Sequence, residues 1–406
     1  MLYYSKIWVI VLGNLKVLST AGFINAVAGS LFWTVFNLYL WDLRFSLLEI
    51  ALLNAIPVII SIVLSRFFGR LADRTGRKRF IIIQFFMGGG VYIILSAVIM
   101  LEKVKFLILA LIYFLLGLSG AIGGGALTAS VTTSLRRERS GEATGIYLSF
   151  GSFGWMIGSF VSGFMADYAG MFYVALTSGF LLILSGLLIV GFFEELKKDT
   201  EIDLKRIFRE SWTFRLEGDR RRLFLLFLMV ALYSFGGALY GLAFTIKMYV
   251  ILKSKTLYGI ISGFAGLTNM FAPYFVGRLG DKYSKESLLL YGMAVRDTYM
   301  LYLAFTWSEM AIIIFMIAPM WVFISVPTIS LTTDYSLEGH ESEVQSIRGV
   351  IQGVFNAFGS IMGGLIANIL DLHRNIVAID YILLVGSIIL FTALIPALIL
   401  KCTRHR

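Results

Sequence analysis

Gly69-Arg70-Leu71-Ala72-Asp73-Arg74-Thr75-Gly76-Arg77-Lys78 is a short hydrophilic turn between two long apolar runs. It is written again as Gly277-Arg278-Leu279-Gly280-Asp281-Lys282-Tyr283-Ser284-Lys285. The copies begin 277 − 69 = 208 residues apart in a chain of 406. A second pair of segments repeats at nearly the same offset. Phe153-Gly154-Trp155-Met156-Ile157-Gly158 matches Phe358-Gly359-Ser360-Ile361-Met362-Gly363, with 358 − 153 = 205. Two unrelated segments with one offset identify an internal duplication, each half carrying its own series of apolar spans.

Those spans decide the solvent. Hydrophobic residues make up 58% of the chain and charged residues 15%, against roughly 45–50% and about 25% in soluble domains. The charges fall in short segments between apolar runs of about 20 residues, the length of a membrane-crossing helix. The period-2 alternation of a membrane barrel is absent, and helices alone can then satisfy their backbone in lipid. Twelve spans are expected: 18–41, 46–67, 79–101, 106–133, 143–166, 171–193, 223–250, 256–276, 287–307, 310–333, 346–370 and 376–400. The predicted fold is an all-α membrane protein whose twelve transmembrane helices form two pseudo-symmetric six-helix bundles. Its expected parts are 1–193, a polar cytoplasmic linker 194–222 with the character of an amphipathic surface helix, and 223–406.

Placing both termini in the cytoplasm puts 27 of the 35 basic residues inside with 17 acids, and 7 of each outside. The net charge inside is 27 − 17 = +10, which is the whole formal charge of the chain. Topology thus explains the basic balance, and no basic groove of a nucleic-acid binder is visible. The expected location is the cell membrane, multi-pass. The single cysteine, Cys402, excludes an internal disulfide. His340, His373 and His405 fall in loops or the tail without ligand spacing, so no metal site is expected. The N-terminal run between Lys6 and Lys16 lacks a small-residue cleavage site and is read as retained.

Gly69 to Arg79 resembles the signature of the major facilitator superfamily, G-x-L-a-D-r-x-G-R-[RK]-[RK], found between its second and third helices. Thr75 departs mildly, where the family usually has an aromatic. The second copy is degenerate: Ser284 replaces the second glycine and no arginine follows. The resemblance implies the MFS fold and a secondary transporter working by rocker-switch alternating access. In residue terms, Gly69 and Gly76 are read as permitting the close turn. Arg70, Arg74, Arg77, Lys78 and Arg79 hold it in the cytoplasm. Asp73 is the one acid among them. In the family this aspartate meets the start of the eleventh helix when the inner gate is shut. Here Arg348-Gly349 stands at that end, so the resemblance implies an Asp73–Arg348 latch assisted by the helix dipole. The corresponding first-half position is Thr144-Gly145, so Asp281, in the copy that begins at Gly277, lacks a matching arginine and the latch is expected to be lopsided. The competing reading is that these charges only set topology.

By the family's geometry, spans 1, 4, 7 and 10 line a central cavity. Span 1 offers Asn25, Gly29, Trp33 and Asn37 at four-residue spacing on one helix face. Span 7 offers Tyr233, Gly237, Tyr240 and Phe244; span 4, Tyr113 and Thr128; span 10, Trp321 and Phe323. Flanking spans add Asn54, Asn269 and Asn356. Aromatics and amides without fixed charge suit a neutral or amphiphilic solute. Packing is the competing reading for each. The glycines of spans 4, 5 and 11 are read as close helix packing. Span 5 lacks the Gly-Pro pair of the family's antiporter signature, and Tyr113 stands where many proton-coupled exporters carry arginine.

Arg296 and Asp297 sit near the middle of span 9. Intramembrane charges are functional candidates by default. The ninth helix usually lies outside the cavity, so a structural ion pair and a coupling site both stay open. Lys247, near the outer end of span 7, is expected to snorkel to the interface. The leading expectation is export of amphiphilic or drug-like compounds by a monomer, with no cofactor and with H+ or Na+ as the coupling ion, if any. Uptake of a neutral metabolite such as a sugar is the alternative, and a non-transporting membrane sensor on the same scaffold is a third. An enzyme would need paired carboxylates or a Ser/His/Asp set at one depth, which the chain does not supply.

Overall fold

The computed structural model describes residues 2–134, 140–195, 218–337, 341–372 and 376–403, without the side chains of 2–12, 140–144, 274, 281 and 341–343. Residues 196–217 of the expected linker, His340, His373, His405 and the side chain of Asp281 lie outside the described residues. Thirteen α-helices account for nearly everything described. In the first half they are α1 (Leu2–Asp42), α2 (Leu47–Thr75), α3 (Arg77–Met100), α4 (Phe106–Thr132), α5 (Ser140–Tyr168) and α6 (Met171–Phe192). In the second they are α7 (Arg220–Leu252), α8 (Lys255–Lys282), α9 (Lys285–Phe305), α10 (Glu309–Ile317), α11 (Val322–Tyr335), α12 (Glu341–Ile369) and α13 (Ala378–Thr403).

Eleven spans among the described residues are long and apolar enough to cross a membrane, with α10 and α11 together forming one of them. The remaining expected span, 287–307, falls on α9. Its 21 residues measure about 32 Å at about 1.5 Å per residue, enough for a hydrocarbon core of about 30 Å. Its composition is polar because Arg296 and Asp297 lie in its interior. The chain is a multi-pass, all-helical membrane protein.

The chain divides into two compact units, one of residues 1–37, 59–213 and 254–267, the other of 38–58, 214–253 and 268–406. The units follow the two halves of the sequence, except that residues 38–58 (the end of α1 and the first turns of α2) and 254–267 (the first turns of α8) each cluster with the other half. Glycines mark how those turns are held. A Cβ on Gly163 of α5 would run into the Lys255 carbonyl of α8, and one on Gly364 of α12 would lie 2.6 Å from Leu48 Cα of α2.

The duplicated Phe-Gly-x-x-x-Gly segment packs in the same way in both units. A Cβ on Gly154 would strike the Phe23 carbonyl of α1, and one on Gly158 the Val27 carbonyl and the Ser30 hydroxyl. In the other unit Gly359 meets the Phe235 carbonyl and Gly363 the Leu239 carbonyl of α7. Only glycine lets backbones approach this closely, and in lipid such packing supplies the attraction that water would otherwise provide.

Two sequence expectations are corrected. The tenth span is not one helix over 310–333. It breaks after Ile317, because Pro319 has no N–H to offer the ladder, and α11 restarts at Val322. Thr268 of α8 donates its hydroxyl to the Ile317 carbonyl at 2.6 Å, satisfying an acceptor that the break frees. Nor does Lys247 snorkel. It is 0% exposed, its Nζ lies 2.6 Å from Asp380 Oδ1 at the start of α13, and it donates to the Leu303 carbonyl of α9 at 2.8 Å. Trp307 donates Nε1 to the other Asp380 oxygen at 2.9 Å and offers its ring to Lys247 at 4.7 Å. The ammonium is thus fully used, and a second-unit junction of α7, α9 and α13 is built around it.

Lys247→Ala strips the carboxylate of its cation and should destabilise the fold by about 3–5 kcal/mol, the usual effect of breaking a buried pair. Lys103→Ala, at an exposed loop, should change stability by less than about 0.5 kcal/mol. Thermal unfolding of the detergent-solubilised protein distinguishes them; equal melting temperatures would contradict the assigned role.

Candidate functional site

The repeated turn folds around one residue. α2 ends at Thr75 and α3 begins at Arg77, so Gly76 alone reverses the chain, at φ 109° and ψ 133°. That φ lies where side chains are strained, which accounts for the glycine. Gly69, expected in the turn, is helical within α2 instead. A Cβ on it would meet nothing within 4 Å, while one on Gly125 of α4 would stand 3.6 Å from Gly69 Cα. Gly277 is likewise inside α8. The eroded second copy turns differently: Ser284 has φ −73° and caps α9, its hydroxyl accepting from Ser287 N–H at 2.9 Å.

Around Gly76 a polar cluster ties four helix ends of the first unit together. Arg77 donates Nε to Asp73 at 2.7 Å, and its Nη1 reaches the Ala129 carbonyl at 3.0 Å and the Thr133 hydroxyl at 2.9 Å at the end of α4. Lys78 donates to the Val190 and Phe193 carbonyls at 3.0 and 2.6 Å, covering the end of α6. The Glu195 carboxylate accepts from the backbone N–H groups of Arg77 and Lys78 at the start of α3. Asn14 pairs both ways with the Glu194 backbone, at 2.8 and 3.0 Å. A cavity of about 270 Å³ lies among Asn14, Asp73, Gly76, Arg77, Thr133 and Glu195.

Arg348 belongs to the other unit. It donates to Gln345 at 2.8 Å and to Gln352 at 3.1 Å along α12. Asp73 is paired with Arg77 and Arg348 with these amides, each inside its own unit. Lys285, the counterpart of Arg77 in the second copy, forms an ion pair with Asp334 at the end of α11, at 2.7 Å.

The cavity candidates divide into groups. Trp321, at the break between α10 and α11, donates Nε1 to Asn269 of α8 at 2.8 Å and remains 47% exposed. Trp33 stacks edge-on against Tyr113, with centroids 5.5 Å apart. Tyr113 itself is 0% exposed, within a cluster that includes Phe36. Tyr240 is also 0% exposed and donates to the Met300 carbonyl of α9 at 3.2 Å. Tyr233 lies under the Arg296 guanidinium, 5.0 Å from ring centroid to Cζ. Asn25, Asn37 and Asn356 are half-buried on α1 and α12.

Tyr233, Tyr240 and Lys247 recur every seven residues on one face of α7, and all three reach α9. That face packs sideways within its unit. Asp297 occupies the buried stripe of α9 with Leu289, Met293, Met300 and Leu303, at 0% exposure. Neither of its oxygens has a hydrogen-bond partner among the described residues, nor does Nη1 of Arg296.

The Major Facilitator Superfamily model matches residues 18–364, and the chain belongs to that superfamily. The multi-drug resistance efflux pump PmrA homolog of Lactococcus lactis subsp. lactis is 28% identical over 269 residues, covering 61% of this chain and 60% of that protein. The multidrug resistance protein MdtG of Serratia proteamaculans is 27% identical over 267 residues, covering 63% and 61%. The matches thus span about three fifths of the length of these relatives. Among solved structures, the nucleoside transporter NupG superposes with a TM-score of 0.75 at 12% identity, over 95% of this chain and 99% of that one. A bacterial homolog of the human lysosomal transporter Spinster, inward-facing and occupied, gives 0.74 at 14%, over 96% of each. At such identities these two show the fold.

The two first-copy glycines should respond differently to alanine. At Gly76 a Cβ would meet Glu195 Oε2 at 2.9 Å and adopt a strained φ, so Gly76→Ala should destabilise by about 1–3 kcal/mol. Gly69→Ala adds a methyl in open space within a helix and should be neutral or stabilising by up to about 1 kcal/mol. Equal losses in thermal unfolding would refute the single-residue turn.

Proposed function

We propose that this protein exports amphiphilic, drug-like compounds across the cell membrane by alternating access, as a monomer with both termini in the cytoplasm. The observation that carries the proposal is the Trp321–Asn269 pair at the break of the tenth span. A half-exposed indole fixed by an amide is an uncharged, rigid, aromatic surface, suited to apolar cations and neutral amphiphiles. Broken spans are where transporters of this general architecture place substrate contacts. Relatives named as multidrug efflux pumps support the same substrate class. In this reading Asn356, in the same unit, contributes a further contact. Asp73 gates the cycle through its pairing with Arg77, and the coupling ion is H+, carried by the carboxyl of Asp297, which has no hydrogen-bond partner among the described residues.

Ethidium efflux from energised cells tests the substrate surface. Trp321→Ala should lower the efflux rate at limiting dye by roughly tenfold, equivalent to about 1.4 kcal/mol of lost binding, and Asn269→Ala should follow in the same direction. Unchanged efflux in both would remove the broken span from the site. Asp297→Asn should abolish dye movement driven by a pH gradient in proteoliposomes, while dye-for-dye exchange continues. Gradient-driven movement in that variant would place coupling elsewhere.

A further inference from the structure

The start of α7 and the end of α13 form a groove that none of the foregoing chemistry uses. Its volume is about 600 Å³, and it is lined by Asp219, Arg221, Arg222, Leu398, Ile399, Cys402 and Thr403. Both helix ends belong to one unit, and α7 and α13 are among its most extensively packed neighbours. They run antiparallel, so the groove opens at the basic end of both.

The polar rim sorts into used and unused charge. Asp219 caps α7, accepting the Arg222 N–H at 3.1 Å, and its other oxygen lies 3.3 Å from Arg222 Nε. Arg222 also donates to the Thr403 carbonyl at 3.2 Å, covering the negative end of α13, and stacks over Tyr335 at 5.6 Å. Asp219 and Arg222 therefore neutralise each other and brace the two helix ends. Arg220 and Arg221 are exposed, and neither has an ion-pair partner among the described residues. The groove lining thus carries Arg221 without an ion-pair partner among the described residues, and Arg220 is its neighbour at the start of α7.

Below the rim the walls become apolar on both sides. On α7, Arg221, Phe224 and Leu228 lie at i, i+3 and i+7, and the two hydrophobics are 64% and 39% exposed. On α13, Ile395, Leu398 and Cys402 have the same spacing, with Ile395 and Leu398 61% and 51% exposed. Two parallel apolar stripes therefore descend from a cationic rim. This is the outline of a phospholipid: an anionic headgroup at the mouth and an acyl chain between the stripes. The corresponding end of the first half is built differently. There α6 is closed by Lys78 and Asn14, and α1 extends well beyond the junction.

We propose that the groove between the start of α7 and the end of α13 binds one anionic phospholipid, its phosphate held by Arg220 and Arg221 and its chain laid along Phe224, Leu228, Leu398 and Ile395. Basic pockets between helix ends are suited to anionic headgroups, because each nearby arginine is attracted to the charged leaflet. The arginine fork adds two-point contact with phosphate oxygens. The proposal stands on membrane insertion alone and does not require the export reading.

The single cysteine of the chain provides the probe, since Cys402 lines the groove and is exposed. The full-length protein, labelled at Cys402 with bimane, is reconstituted in phosphatidylcholine vesicles containing a minor fraction of brominated lipid. Brominated phosphatidylglycerol should quench the label about tenfold more effectively per mole than brominated phosphatidylcholine, and the Arg220→Gln/Arg221→Gln double variant should lose that preference. Leu398→Trp, which fills the acyl path and leaves the arginines intact, should lose it as well. Equal quenching by the two lipids, or a preference that survives either variant, would overturn the proposal. Displacement of the brominated lipid by millimolar inorganic phosphate would also overturn it, by showing a free-anion site instead.

Discussion

The constraint on which the rest depends is that a peptide group in hydrocarbon has no water to bond. Helices satisfy most of this requirement internally, but their ends and breaks leave carbonyls exposed. This protein closes those carbonyls with long polar side chains from neighbouring helices. Lys78 covers the end of α6, Arg222 the end of α13, and Arg77 the end of α4. Lys247 and Tyr240 reach carbonyls of α9, and Thr268 closes the broken tenth span. Each such bond joins two elements, so satisfying the backbone also fixes the packing.

The same logic explains why the two copies of the turn differ. In the first, Gly76 gives a one-residue reversal and frees Arg77 and Lys78 to act as caps for α4 and α6. In the second, Ser284 caps α9 itself, Lys285 pairs with Asp334, and the residue after it is Glu286, which accepts from the Tyr335 hydroxyl at 3.0 Å. Capping of α13 passes to Arg222 on α7. The duplicated sequence therefore keeps the location of the turn while redistributing its chemistry, and that redistribution leaves the groove open at the end of α13.

Much of this is legible in the sequence, and the reasons for the rest are physical. Span length and charge clustering are enough for the fold, because lipid leaves helices no alternative. The paired offsets of 208 and 205 residues mark the duplication, and its glycines do pack in matching ways. Trp321 and Asn269 can be reached as two separate candidates, but their meeting depends on the break at Pro319, which hydropathy alone does not register. Tyr240 shares a face with Tyr233, and four-residue spacing does not reveal whether that face meets a cavity or a neighbouring helix. Lys247 reads as an interfacial cation because its partner, Asp380, is 133 residues away and looks like an ordinary loop acid. Glu195 is likewise hidden, since capping of α3 from the end of α6 is a tertiary contact.

The central claim is that these helices move an amphiphilic solute, with the broken tenth span as a contact surface. The most direct measurement is ethidium flux by the purified wild-type protein in sealed proteoliposomes under an imposed pH gradient. Saturable flux that depends on the gradient and is competed by other lipophilic cations is the expected result. Flux no greater than in protein-free vesicles, from protein whose fold is intact by thermal unfolding, would contradict the claim.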